Sequence, residues 1–301
     1  MNFVVSTEHL SKRYGATTVV NNLSLRIPEG CVYGFLGPNG SGKSTTMKML
    51  LSLIRPSGGS IEVFGEPMSR SSRRRLLGSI GSLIESPPGY GHLTGAENMR
   101  VVQRLLGLSD QQIAFAVNIV RMGEQLDKKV RNYSLGMKQR LGIAMALARQ
   151  PRLLILDEPT NGLDPAGIDE IRHLLRRLAD GGVTVMVSSH LLGEIDKTAN
   201  VLGILSEGQM LFQGTREELF TASTPDLRLS TTDPRHTRSL LNGTVEARVE
   251  GDSVRVSGLN NPGASQLISY LVNAGDEIYE ARREEQSLED VFMNLTGGGG
   301  L

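Results

Sequence analysis

Residues 37–44 read Gly37-Pro38-Asn39-Gly40-Ser41-Gly42-Lys43-Ser44 and fit GxxxxGK[ST] at every fixed position. Glycine at that spacing lets successive backbone N–H groups turn inward with no Cβ in the way. Together with the first turn of a following helix, those N–H groups cradle phosphate oxygens. Lys43 then reaches the β- and γ-phosphates, Ser44 offers its hydroxyl to Mg²⁺, and Thr45 continues the run. A second stretch, Leu153-Leu154-Ile155-Leu156-Asp157-Glu158, sets four apolar residues before two carboxylates. An apolar strand ending in acid places charge at the carboxyl edge of a parallel sheet, where ligands sit. Asp157 is expected to hold Mg²⁺, directly or through water, and Glu158 to polarise the water that attacks the γ-phosphate. Either stretch alone could be a glycine-rich turn or a solvated strand end. Found together, they point to nucleoside triphosphate chemistry.

The elements around these residues must place them. Cys31 to Leu36 reads as a buried strand entering the loop, and Thr45 to Ile54 continues at helical spacing with Met47, Leu50, Leu51 and Ile54 apolar. Strands are expected at 3–9, 23–27, 60–64, 80–84, 153–156 and 183–187, with a closing hairpin over 201–212 around Glu207-Gly208. Helices are expected over 94–123 in two or three pieces, 134–149 and 169–178. The basic cluster Arg70, Arg73, Arg74 and Arg75 reads as a solvated helix face. Continuous apolar strands imply a sheet covered on both faces. Beyond residue 221 the texture changes: strands at 245–249, 254–256 and 277–282 surround a helix at 266–273.

Composition sets the outer limits. The 301 residues suggest about two domains. Residues 1–221 carry 25 basic and 20 acidic side chains, whereas residues 222–301 carry 7 and 12, and no lysine follows Lys197. That shift places a boundary near 221. The zero net charge lacks the basic footprint of nucleic-acid binding. Cys31, the single cysteine, forms no internal disulfide and suits a packing role in a cytoplasmic protein. No apolar run reaches the ~18–20 residues that span a bilayer, and the first residues lack the charged-then-apolar order of a signal peptide.

Three further stretches complete a pattern. Tyr133-Ser134-Leu135-Gly136-Met137-Lys138-Gln139-Arg140 precedes the acidic strand, Glu158-Pro159-Thr160-Asn161-Gly162-Leu163-Asp164-Pro165 continues it, and Ser188-Ser189-His190 ends the next strand. The set resembles the nucleotide-binding subunit of an ATP-binding cassette (ABC) transporter, over residues 1 to about 215. The resemblance implies an α/β P-loop cassette. Residues 1–221 would form a mixed, largely parallel sheet with helices, with a helical subdomain over about 86–150. Residues 222–296 would form a small α+β appendage, and 297–301 a disordered tail. It also implies ATP and Mg²⁺ as cofactors, a second ATP-binding subunit in a homodimer, and a separate multi-span membrane subunit that attaches the chain to the inner face of the membrane.

The family's roles carry over by position. Tyr14, in Lys12-Arg13-Tyr14-Gly15, matches the aromatic residue that stacks on adenine. Ser134 and Gly136 match the signature that meets the γ-phosphate held by the opposite subunit. Asp164 matches the loop linking the two sites, and His190 the switch histidine that contacts the γ-phosphate with Lys43 and Glu158. Two departures stand out. The signature usually reads LSGGQ, and here Leu135 and Met137 replace a glycine and the glutamine. Glu85 stands where the family usually has a glutamine that senses Mg²⁺; its carboxylate is expected to favour metal contact. The stretches Ile80 to Ser86, Tyr133 to Leu141 and Ser287 to Phe292 together resemble a branch that exports, or confers immunity to, peptide antibiotics of the bacitracin and lantibiotic kind. Exporters of other drugs, lipids or ions have similar motifs.

Two other classes fit the sequence less well. Cassette ATPases of ribosomes usually carry two cassettes, and those of DNA repair a long coiled-coil insertion; neither occurs in this sequence. A regulatory cassette that binds but barely hydrolyses ATP is opposed by the intact set Lys43, Asp157, Glu158 and His190. The loop from Glu85 to about Met99 is the expected contact with a membrane partner. Glu85→Gln should therefore leave ATP hydrolysis measurable while lowering transport per ATP; a strictly proportional fall in both, measured in reconstituted vesicles, would remove Glu85 from coupling.

Overall fold

The computed structural model describes residues 2–189, 192–221, 225–241, 243–284 and 288–295. His190, Ser287 and the tail 297–301 lie outside them. The chain divides into two compact units, Met1–Arg216 and Glu217–Gly298.

In the first unit the chain runs β1 (Phe3–Tyr14), β2 (Thr17–Leu23), β3 (Arg26–Pro28), β4 (Val32–Leu36), α1 (Lys43–Leu50), β5 (Gly58–Val63), β6 (Glu66–Pro67), α2 (Arg73–Leu77) and β7 (Ile80–Leu83). It continues through α3 (Gly95–Leu106), α4 (Asp110–Ile119), α5 (Leu135–Leu147), β8 (Leu153–Asp157), α6 (Pro165–Asp180), β9 (Thr184–Ser189), α7 (Leu192–Asp196), β10 (Val201–Ser206) and β11 (Gln209–Thr215), and α8 (Arg216–Thr221) starts at the last residue of this unit. A six-stranded sheet in the order β11-β10-β4-β9-β8-β7 is parallel from β10 to β7, with β11 pairing antiparallel at one edge. Its central strands β4, β8 and β9 are buried at every position, which explains their largely apolar character.

A separate antiparallel sheet, in the order β2-β1-β5-β6 with β3 also on β1, covers the core. Here the sequence expectation needs correction: no single strand covers 23–27. The Thr7 hydroxyl donates to Leu23 O (2.9 Å) and accepts from Leu25 N (2.8 Å). That buried side chain takes the place of ladder bonds, so β2 ends at Leu23 and β3 starts at Arg26. The first strand also runs past residue 9 to Tyr14, turning back through Gly15 onto β2. Cys31 is buried, and desolvation pushes its thiol up to about 12, which suits packing rather than reactivity.

The helical segment begins with two reciprocal caps. Thr94 and Glu97 open α3, and Ser109 and Gln112 open α4; each hydroxyl accepts from the backbone three residues on, and the longer side chain reaches back. Arg75 pairs with Glu66, so the basic cluster on α2 is partly neutralised. Among the described residues no helix is long and apolar enough to cross a membrane.

The second unit holds β12 (Asp226–Thr231), α9 (Pro234–Leu240), β13 (Ala247–Glu250), β14 (Ser253–Val256), α10 (Asn261–Asn273), β15 (Ile278–Glu284) and α11 (Leu288–Leu295). The order β13-β14-β12-β15, with antiparallel neighbours throughout, is the split βαβ arrangement of ferredoxin-like folds. Leu227, Leu229, Val254, Val256, Leu267 and Leu271 make its core. Sequence reading did not find β12, because Asp226, Ser230 and Thr231 are buried polar residues that mute its apolar alternation. The register also lines up Arg248, Arg255, Arg228 and Arg282 in one row across the four strands. Like charges so placed repel. Carboxylates offset them: Arg255 bonds to Asp226 (2.7 Å) and to Asp290 of α11 (2.9 Å), Arg228 to Glu284 (3.3 Å), and Arg248 to Glu246 (2.8 Å).

Candidate nucleotide site

The phosphate loop leaves β4 at Leu36 and enters α1 at Lys43. Two of its glycines are required by contact. A Cβ on Gly37 would lie 2.3 Å from Leu205 O and 2.6 Å from Ser41 Oγ. Gly42 caps α1 in the left-handed region at φ 104°, where a Cβ would lie 2.8 Å from Val19 O. Asn39, Gly40, Gly42, Lys43, Ser44 and Thr45 line one cleft of about 430 Å³, together with Glu158. Lys43 is buried, and its ammonium donates to Gly37 O (2.6 Å) and Pro38 O (3.2 Å). Desolvation lowers its pKa, while the charges of Glu158 and Asp157 oppose that shift. Ser41 Oγ is buried and has no hydrogen-bond partner among the described residues. An orphaned hydroxyl inside a cradle of this kind fits an anion that supplies the missing bond.

The acidic pair sits at the carboxyl end of β8. Ser188 of the neighbouring strand donates to Asp157 Oδ1 (2.6 Å) and accepts from Glu158 N (2.9 Å). Glu158 adopts φ 51°, a left-handed conformation uncommon outside glycine. The chain therefore turns sharply after Asp157, sending the second carboxylate to the cleft while the first stays buried. Sequence reading treated Ser188 only as a strand end; its place across from Asp157 is the signal that pairing alone reveals.

Glu85 follows β7, and its carboxylate forms an ion pair with Lys48 of α1. This hydrogen bond raises the Lys48 pKa, with smaller raising effects from Asp157 and Tyr14. Tyr14 is 49% exposed at the end of β1, with Lys12 Nζ 4.8 Å from its ring centroid. Sequence reading missed Lys48, Val19 and Asn161, the last two of which line the same cleft.

The signature residues lie elsewhere. Ser134 caps α5, its hydroxyl accepting from Met137 N (3.2 Å). A second cleft of about 490 Å³ is lined by Lys128, Ser134, Gly136, Arg140 and Asp164 among others, and it shares no lining residue with the first. A Cβ on Gly136 would meet only Leu163, at 3.7 Å, so nothing in this fold demands glycine there. Asp164 caps α6 by accepting from Gly167 N (3.2 Å). The structure thus gathers Pro38, Lys43, Ser44, Asp157 and Glu158 at one sheet edge and leaves Ser134 and Gly136 in a separate cleft. Ser188→Ala should free Asp157 and Glu158 from their shared bridge. Loss of a hydrogen bond to a charged group, worth about 1.5–3 kcal/mol, sets an expected fall in ATP turnover of roughly 10- to 100-fold with the melting transition retained; steady-state phosphate release and circular dichroism measure the two.

Comparison with known proteins agrees with this geometry. Residues 20–161 match the family model described as ABC transporter. A bacitracin transport ATP-binding protein, BcrA of Enterococcus faecalis, is 38% identical over 306 residues, covering 100% of this chain and 99% of the relative. A lantibiotic transport ATP-binding protein, SrtF of Streptococcus pyogenes, is 45% identical over 210 residues, 70% of this chain and 90% of the relative. Among solved structures, cbiO1 from Clostridium perfringens, described as part of the ABC transporter complex cbiONQ, superposes with a TM-score of 0.68 at 26% identity, covering 81% of this chain and 96% of that one. Full-length similarity at this level, with the phosphate loop, acidic strand and capped signature helix in one order, shows that the chain belongs to the ABC transporter family as an ATP-hydrolysing cassette subunit.

Proposed function

We propose that this subunit powers an exporter that exports, or gives immunity to, peptide antibiotics such as bacitracin or lantibiotics, through a separate membrane partner. The observation that carries the reading is the similarity to BcrA along the whole chain, second unit included. The Glu85 position and the Leu288-Glu289-Asp290-Val291-Phe292 ending add to it. In the second unit Leu288, Val291 and Phe292 are buried while Asp290 holds Arg255, so that ending is a structural part of the appendage.

Within the site, the loop N–H groups and Ser41 would hold the β- and γ-phosphates, and Lys43 would shift from its loop carbonyls to their oxygens. Ser44 and Asp157 offer hydroxyl and carboxylate oxygen, the donors that suit Mg²⁺ when phosphates complete its shell. Bound there, Mg²⁺ neutralises charge on the phosphates. Glu158 would take the proton of the attacking water, His190 would contact the γ-phosphate, and Tyr14 would stack on adenine. Because Ser134 and Gly136 line a different cleft, they would serve the nucleotide of a second copy, as the helix N-terminus at Ser134 is suited to do. The loop from Glu85 to about Met99 would meet the membrane subunit.

Two experiments bear on this reading. Glu158→Gln should keep ATP binding, lower turnover by about 10²–10⁴-fold as expected for loss of a general base, and accumulate an ATP-dependent dimer in size-exclusion chromatography. Unchanged turnover would remove Glu158 from that role. Deleting the gene should sensitise its host to bacitracin or a lantibiotic in growth-inhibition assays. Unchanged sensitivity across such a panel, with ATPase activity intact in the purified chain, would restrict the reading to transport of another compound.

A further inference from the structure

The ion pair between Lys48 and Glu85 joins the phosphate-loop helix to the loop after β7, 37 residues further along the sequence. Lys48 stands four positions after Ser44 in α1, so the two side chains lie on one helix face, a turn apart. Glu85 lies two residues past β7 in the loop that leads to α3 and adopts φ 67°, a left-handed conformation that a side-chain-bearing residue holds only where its surroundings secure it. Burial does not secure it, since its side chain is 66% exposed. Lys48 grips it, with a side chain that is 30% exposed. The far end of the same loop is fixed differently. Asn98 of α3 is buried, accepts from Tyr90 N (2.7 Å) and donates to Tyr90 O (3.1 Å). The segment 85–90 is therefore tied at one end to the phosphate-loop helix and at the other to the helical segment.

We propose that Lys48 is the positioning residue for Glu85: it anchors the loop to the phosphate-loop helix and neutralises a carboxylate that would otherwise face the bound metal and phosphates. This rests on the ATP and Mg²⁺ reading of the site given above. A glutamine at residue 85 would need no counter-charge. A glutamate does, because an unpaired carboxylate at this place would repel the free triphosphate and would be available as an added oxygen donor to the metal. Removing the ammonium should therefore act in two directions. Nucleotide without metal binds more weakly, and less Mg²⁺ is needed to restore binding.

The full-length chain should be titrated by calorimetry with a non-hydrolysable ATP analogue, first in EDTA and then at stepped Mg²⁺. For Lys48→Met we expect affinity in EDTA to fall, and the Mg²⁺ concentration for half-maximal binding to fall, each by roughly two- to fivefold, the scale of a partly exposed ion pair. Both shifts should vanish when the substitution is made in Glu85→Gln protein, and Lys48→Arg should behave like the parent. Shifts of equal size in the Glu85→Gln background, or none in either, would overturn the assignment. A parent chain that binds no nucleotide would instead overturn the ATP site itself. Lys48→Gln provides a second neutral variant should Lys48→Met fail to fold by circular dichroism.

Discussion

Register between three parallel strands is the constraint on which the site depends. Strand β9 lies between β4 and β8, pairing Phe35 with Ser188 and Asp157 with the same serine. The phosphate loop leaves one neighbour and the acidic pair ends the other, so both arrive at one sheet edge. A slip of one residue would exchange the faces of every side chain on β9 and carry Ser188 away from Asp157. The fully buried, apolar faces of these strands prevent that slip, because it would move whole sets of packed side chains. Chemistry at the edge is thus secured by packing beneath it.

Charge in the site is handled by burial as much as by pairing. Lys43 loses hydration, which lowers its pKa, yet two carboxylates and two loop carbonyls keep the ammonium in place. Glu85 and Lys48 answer the opposite problem at the exposed rim, where solvent already screens charge and the pair serves to place a loop. The same element, α1, carries both lysines, so its short length controls two electrostatic tasks.

The second unit follows a comparable rule with different residues. Its sheet aligns four arginines in one row, and Asp226, Asp290, Glu284 and Glu246 offset them. Asp226 is buried beside a half-buried Arg255, and removing the arginine would leave a costly buried charge behind. This explains why α11 belongs to the unit: Asp290 completes the Arg255 cluster while Leu288, Val291 and Phe292 are buried.

Much of this was legible in the amino-acid order. The phosphate loop, the Asp157-Glu158 strand end and the Ser134 cap are contiguous, and local backbone geometry determines what each can hold. The alternating and continuous apolar runs likewise marked most of the strands and helices. What the order could not show were interactions between distant positions. The Thr7 hydroxyl that separates β2 from β3, the Ser188 bridge and the Lys48–Glu85 pair all join residues between 16 and 37 apart, and none leaves a periodic trace. Tertiary structure also decided that Ser134 and Gly136 line a different cleft from the phosphate loop of their own chain. Contiguous residues determine which groups can bind phosphate; only the packing of strands and helices determines which of those groups can meet.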